Sequence, residues 1–248
     1  MYRRKIAVTS LQLRSDMTVQ LVDHNLSDKA VVRAARVSTV GQTHKPFLSS
    51  PGENTDRDAG LIGYLMRERH GSPFEHGSLT LYVEAPIFVF REWQRHRIAS
   101  YNEESARYRE LRPSFYLPAV DRNLVQVGKP GAYRFEPGTA AQLAVVDGSL
   151  VTAYEAAYEA YERMLSAGIA REIARAALPV GIYSSMYVTM NPRGLMNFLS
   201  LRTHREDAAF VSNPQREIEM CAEKAERIFA ELMPITHAAF EANGRVTP

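Results

Sequence analysis

Cysteine occurs once in the 248 residues, at Cys221. That single thiol excludes an intramolecular disulfide and any Cys-rich metal site. No apolar run approaches the length of a membrane span, and the basic start Met1-Tyr2-Arg3-Arg4-Lys5 is not followed by an apolar signal core. A cytoplasmic location is the expectation, with no membrane partner. Net charge is only +2, too little for a general polyanion binder, although local patches can still be basic. There is no Gly-rich phosphate loop of the dinucleotide or Walker type, no His-x-x-x-His or Cys-x-x-Cys pair, and no Gly-x-Ser-x-Gly elbow. His70 and His76 flank Glu75, but Pro73 between them breaks any regular ligand spacing, and no metal is expected.

One stretch is rich in chemistry. Arg95-His96-Arg97-Ile98-Ala99-Ser100-Tyr101-Asn102-Glu103-Glu104-Ser105-Ala106-Arg107-Tyr108 crowds cations, carboxylates, hydroxyls and an amide together. Neither a helical nor an alternating apolar period runs through it, so packing alone does not account for it. Arginine forks suit phosphate or carboxylate, and Ser105 and Asn102 add short hydrogen bonds. Glu103 and Glu104 argue against a nucleic-acid backbone and favour a small, highly functionalised anion. The competing reading is a solvated loop laced with ion pairs.

Around this stretch the chain reads as an α+β protein: a single domain over residues 1–248, with an antiparallel-rich central sheet flanked by long helices. Strands are expected at Ile6–Leu13 and Met17–Val22, with Arg14-Ser15-Asp16 turning the chain between them, then at Leu79–Val83 and Val180–Met190. Helices are expected from Ser27 or Asp28 through Val37, from about Asp56 to Arg69, and from Pro86 to about Arg97. Further helices are expected over Thr139–Ala167, over Ala170–Ala177, from Asn191-Pro192 through Arg202, and after an Asn213-Pro214 cap, with Pro234 interrupting the last. Gly41–Asp56 reads as a surface loop and Pro118–Gly138 as a long connection or lid. Tyr154, Tyr158 and Tyr161 form a helical stripe that suits core or subunit interface better than a cofactor surface. Arg175 and Arg202 lie on helices with apolar faces; each is either a stem with its head in water or a held partner for a ligand anion.

The spaced residues Arg95, His96, Arg97, Ser100, Asn102, Ser105, Arg107 and Tyr108 match the pattern R-H-R-x-x-S-x-N-x-x-S-x-R-Y. In this the chain resembles the flavin-dependent thymidylate synthases. The likeness continues through Val32–Ser38, Pro73–His76, Ala85–Val89, Arg175 with Leu178-Pro179, Asn191–Arg202, and Gln215 with Glu217-Ile218. The resemblance implies conversion of dUMP to dTMP with FAD, NADPH and 5,10-methylenetetrahydrofolate, in a homotetramer whose subunits share active sites. It implies FAD contacts at Ser72, Arg95, His96, Arg97, Glu103, Asn191, Arg193 and Asn197. It places the nucleotide at Glu92, Gln94, Arg95, Glu103, Glu104, Ser105, Ala106, Arg107, Arg175 and Arg202, and a histidine near flavin and folate at His70. Glu92 departs from the glutamine of many members, and residues 41–58 and 203–213 are longer than in short members.

The residues fit that chemistry. A uracil carbon becomes nucleophilic when a thiolate adds to the ring, yet Cys221 sits mid-helix between Ile218 and Ala225, as a packed thiol would. Arg202 is the catalytic candidate, a fixed cation for negative charge on the pyrimidine. Ser105 is either a nucleophile or, with Arg107 beside it, a phosphate ligand. Two other classes compete: a flavin reductase without methyl transfer, and a non-enzymatic binder of single-stranded nucleic acid using Tyr101, Tyr108, Phe115 and Tyr116.

Overall fold

The structure, a computed structural model, describes residues 10–40, 55–129 and 132–248. The expected loop Gly41–Asp56 therefore lies almost wholly outside the described residues, as do the start of the expected first strand and the Pro130-Gly131 pair. The chain forms two compact units and passes between them repeatedly. One comprises residues up to Asp16, Ala85–Phe88 and Glu104–Ser184; the other comprises Met17–Glu84, Val89–Glu103 and Ser185–Pro248.

In the first unit, β1 (Gln12–Arg14) pairs in parallel with β5 (Ser114–Tyr116). Within the described part of the expected strand Ile6–Leu13, only Gln12 and Leu13 fall in β1. Arg14-Ser15-Asp16 does not turn a hairpin, because β2 (Thr18–His24) pairs elsewhere, antiparallel with β3 (Leu79–Pro86). The long helix α4 (Ala140–Ser166) opens with a capping box: Thr139 Oγ1 accepts the N–H of Gln142, whose side chain accepts the N–H of Thr139. Its tyrosines are core. Tyr154 stacks on Phe115 with ring centroids 4.6 Å apart, and Tyr158 donates to the carbonyl of Leu111 at 3.1 Å. Ala106, Leu111, Ala174 and Ile182 complete this cluster. Tyr154 also requires glycine at position 181, where a Cβ would stand 2.4 Å from its hydroxyl. The segment 118–138, read as a long connection or lid, contains a hairpin, β6 (Val125–Lys129) against β7 (Ala132–Glu136). Its alternation is hidden in sequence by the glycines and prolines around it.

The second unit holds a four-stranded sheet in the order β2-β3-β8-β4, with β4 (Ser100–Glu103) at one edge, antiparallel to β8 (Tyr183–Met190). Leu79, Leu81 and Val83 are fully buried, as the alternation predicts. Ser27 caps α1 (Asp28–Val40) by accepting the N–H of Ala30, while the Asp28 carboxylate accepts the N–H groups of Ile235 and Thr236 at the start of α8 (Pro234–Ala242). Ile62, Leu65 and Met66 bury one face of α2 (Thr55–Arg67). Asn191 caps α6 (Pro192–Arg202) by accepting the Gly194 N–H at 2.8 Å. The amphipathic α7 (Arg216–Leu232) buries Ile218, Cys221, Ala222, Ala225 and Phe229. It is preceded by Gln215 rather than capped by Asn213, and α8 restarts at Pro234 as expected of a helix interrupted there.

Candidate active site

The helix that was expected to carry the arginine cluster stops early. α3 spans Ile87–Trp93, after which His96 N–H bonds the Trp93 carbonyl and the chain leaves in a tight turn. The hydroxyl of Tyr101, on β4, lies 2.7 Å from the Trp93 carbonyl and 2.8 Å from that of His96, so one O–H is shared between two carbonyls of the turn, of which that of Trp93 also accepts the His96 N–H. The turn sends alternate side chains opposite ways. Arg95 and Arg97 are exposed, and His96 is buried. Among the described residues neither Arg95 nor Arg97 has an ion-pair or hydrogen-bond partner, which suits cations kept for an anionic ligand.

His96 faces the end of α6. Its ring stands edge-on to Phe198, which itself stacks on Trp93 at 4.0 Å. Arg202 Nε donates to His96 Nε2 at 3.1 Å. The Arg202 guanidinium also lies 2.6 Å from the Glu92 carboxylate and donates to the Glu92 carbonyl at 3.3 Å. Burial and the neighbouring charge of Arg202 lower the His96 pKa to about 4. The ring is therefore neutral at physiological pH, with its proton on Nδ1, because Nε2 accepts. Sequence spacing places Glu92 and His96 side by side; it carries no sign that Arg202 lies on both. Arg202 is a held arginine, its side chain only 12% exposed.

Of the other residues assigned to the flavin by resemblance in this unit, Ser72, Asn191, Arg193 and Asn197 lie on or beside α6. Ser72 begins a 3-10 turn, Ser72–Glu75, and is exposed. Arg193 donates to Glu75 at 2.6 Å and to the Pro248 carbonyl at 2.7 Å. A Cβ on Gly71 would meet the Arg193 guanidinium at 2.6 Å, and one on Gly194 would meet the Ile98 carbonyl at 2.9 Å. Asn197 is exposed on the same helix, Gln94 is exposed in the turn after α3, and Glu103 closes β4. The unpaired guanidinium groups of Arg95 and Arg97, a hydroxyl and an amide fit the phosphates and polar edges of a dinucleotide-sized cofactor such as FAD. His70 packs its ring at 5.7 Å from Tyr64.

In the first unit, Ser105 Oγ accepts the Arg107 N–H at 3.2 Å, and Arg107 pairs with Glu172 at 3.0 Å. Glu104 pairs with Arg109 at 2.9 Å. Ala106 turns its methyl into the core, so only its backbone is offered to a ligand. Arg175, on the turn Arg175–Ala177 that follows α5 (Arg171–Ala174), is exposed, and its guanidinium has no polar partner among the described residues. Cys221 is fully buried, and burial pushes its thiol up to about 12.

Residues 20–235 match the family model of the thymidylate synthase complementing proteins. The chain is 57% identical to the flavin-dependent thymidylate synthase of Streptomyces coelicolor (strain ATCC BAA-471 / A3(2) / M145), over 96% of each chain. The chain belongs to this family. The flavin-dependent thymidylate synthase of Tropheryma whipplei (strain TW08/27) is also 57% identical, over 94% of this chain and 96% of its own. Among solved structures, the UMP/dUMP methylase PolB from Streptomyces cacaoi bound with 5-Br dUMP superposes with a TM-score of 0.88 at 57% identity, covering 96% of this chain and 100% of that one. As a flavin-dependent thymidylate synthase the chain is an enzyme of the methyltransferase class, with a flavin as cofactor.

Proposed function

We propose that the enzyme methylates dUMP to dTMP with 5,10-methylenetetrahydrofolate as one-carbon donor and NADPH as reductant, without a cysteine nucleophile. The observation that carries this reading is Arg202, a guanidinium drawn out of water and fixed by Glu92 and His96. Such a preorganised cation stabilises negative charge on a pyrimidine and lets the ring carbon act as nucleophile without a thiolate adduct. The only thiol, Cys221, is buried and held protonated, which supports the same scheme. Ser105, Arg107 and Arg175 serve the nucleotide phosphate, and Glu92, Gln94, Arg95, Glu103, Glu104 and the Ala106 backbone serve the rest of the nucleotide. Ser72, Arg95, His96, Arg97, Glu103, Asn191, Arg193 and Asn197 hold FAD, with Arg95 and Glu103 touching both ligands. Bound FAD supplies the reducing equivalents, which side chains cannot carry. The working form is a cytoplasmic homotetramer with shared active sites.

Purified protein should be yellow, bleach anaerobically with NADPH, and release the C5 proton of dUMP once the folate is added. A protein unable to take up FAD would remove the proposal, and bleaching without dUMP turnover would leave a flavin reductase. The name of the Streptomyces cacaoi relative, a UMP/dUMP methylase, favours a second substrate reading in which UMP is also methylated. Parallel assays with dUMP and UMP decide between them.

A further inference from the structure

We propose that His96 is a positioning residue for Arg202, fixing the plane of its guanidinium so that one N–H on each terminal nitrogen is left for the pyrimidine. The inference rests on the proposed role of Arg202 and adds how that role is built.

The donor inventory supports it. Arginine has five N–H groups in a rigid plane. Here Nε–H goes to His96 Nε2 at 3.1 Å, one hydrogen on the terminal nitrogens goes to the Glu92 carboxylate at 2.6 Å, and one to the Glu92 carbonyl at 3.3 Å. The ion pair uses one terminal nitrogen and the carbonyl contact the other, so each keeps one hydrogen. Two such donors suit adjacent acceptors on a pyrimidine that carries negative charge, such as a uracil carbonyl oxygen and the N3 of a ring that has given up its N3 proton. Glu92 alone grips one end of the guanidinium and leaves it free to pivot. The bond at Nε, on the stem side, removes the pivot. His96 can serve only as an acceptor there, so its ring must be unprotonated at Nε2, and its surroundings keep it so: the ring is buried, edge-on to Phe198, and beside a cation.

The ring is itself held. Tyr101 bonds the His96 carbonyl and the Trp93 carbonyl, closing the turn from which the imidazole projects. Tyr101 falls at one of the free positions of the sequence pattern, so the pattern gives no hint of this support. The geometry thus runs from β4 through Tyr101 to the turn at His96, and from His96 to the end of α6.

The test uses His96→Leu, His96→Gln and the same changes in an Arg202→Ala background, with single-turnover dTMP formation at saturating dUMP normalised to bound flavin. His96→Leu should lower the rate about 10- to 100-fold, as expected for a lost hydrogen bond to a charged group. His96→Gln, whose amide oxygen can accept from Nε, should restore most of it. In the Arg202→Ala background His96→Leu should cost nothing more. A full further loss there, or equal rates for wild type and His96→Leu, would overturn the proposal. Should the variants fail to fold or to bind flavin, ¹⁵N NMR of the wild-type ring decides: an unprotonated Nε2 with the proton on Nδ1 supports it, and a protonated Nε2 overturns it. Absence of dTMP formation by the wild type itself would instead refute the proposed activity.

Discussion

Arg202 and Glu92 form an ion pair at 2.6 Å in which the arginine side chain is 12% exposed and the glutamate 30%. A pair so placed neutralises the cation while the site is empty, and its carboxylate must share the guanidinium once a pyrimidine arrives. Glu92→Gln keeps the hydrogen bond and removes the countercharge, so it should retain turnover and bind an anionic pyrimidine analogue more tightly. Glu92→Ala should lower turnover by about 10-fold or more, because the guanidinium loses its grip. Steady-state kinetics of the two variants beside analogue titrations read both effects.

Replacing Arg202 itself is the severest change. Arg202→Ala should reduce dTMP formation by about 100-fold or more, the range seen when a fixed oxyanion donor is removed, while flavin absorbance stays. Unchanged turnover would take Arg202 out of the mechanism.

Ser105 should act on binding. Its hydroxyl accepts the Arg107 N–H, and among the described residues no base bonds to it. Ser105→Ala is expected to raise the dUMP dissociation constant by about 10-fold and keep measurable turnover. Normal binding with no turnover would identify the serine as a nucleophile.

His96 sets a pH signature for stability. Its folded pKa of about 4 lies below the ordinary 6.5, so the unfolded chain binds the extra proton first as pH falls. The stability this contributes is fully present above about 6.5 and is lost as pH drops towards 4, to the extent of about 3 kcal/mol. Urea melts of wild type and His96→Gln between these pH values should converge on the acid side. Parallel curves would refute the assignment.

Behind the end of α6, Arg245 is 4% exposed and bonds Glu226, Glu241 and Thr203, the residue that follows Arg202. Burial alone would raise the Glu226 carboxyl, but hydrogen bonds from His237 and Arg245 and the charges of Arg245 and Arg205 bring it down to about 2. Arg245→Ala leaves that carboxylate short of its main partner and should destabilise the protein by about 3–5 kcal/mol. Thermal melts monitored by circular dichroism measure it.

Much of this arrangement is legible in the chain. The spaced motif from Arg95 to Tyr108 identifies the family, the alternation at Leu79, Leu81 and Val83 marks a central strand, and the helical stripe on α7 marks a buried face. Other features are not. The end of α3 depends on Tyr101 capturing two carbonyls from another element, and β4 is an edge strand whose polar side chains show no alternation. The hairpin within 118–138 is masked by its turn residues. The union of Arg202 with His96 and Glu92 joins positions more than a hundred residues apart, which periodicity cannot report.

Cys221, the sole thiol, lies fully buried on α7 with its proton held by burial. A thiol reagent therefore reaches it only when α7 leaves its packing. The rate of labelling at increasing denaturant becomes a direct gauge of how often that helix opens, with no engineered probe needed and no second cysteine to confuse the signal.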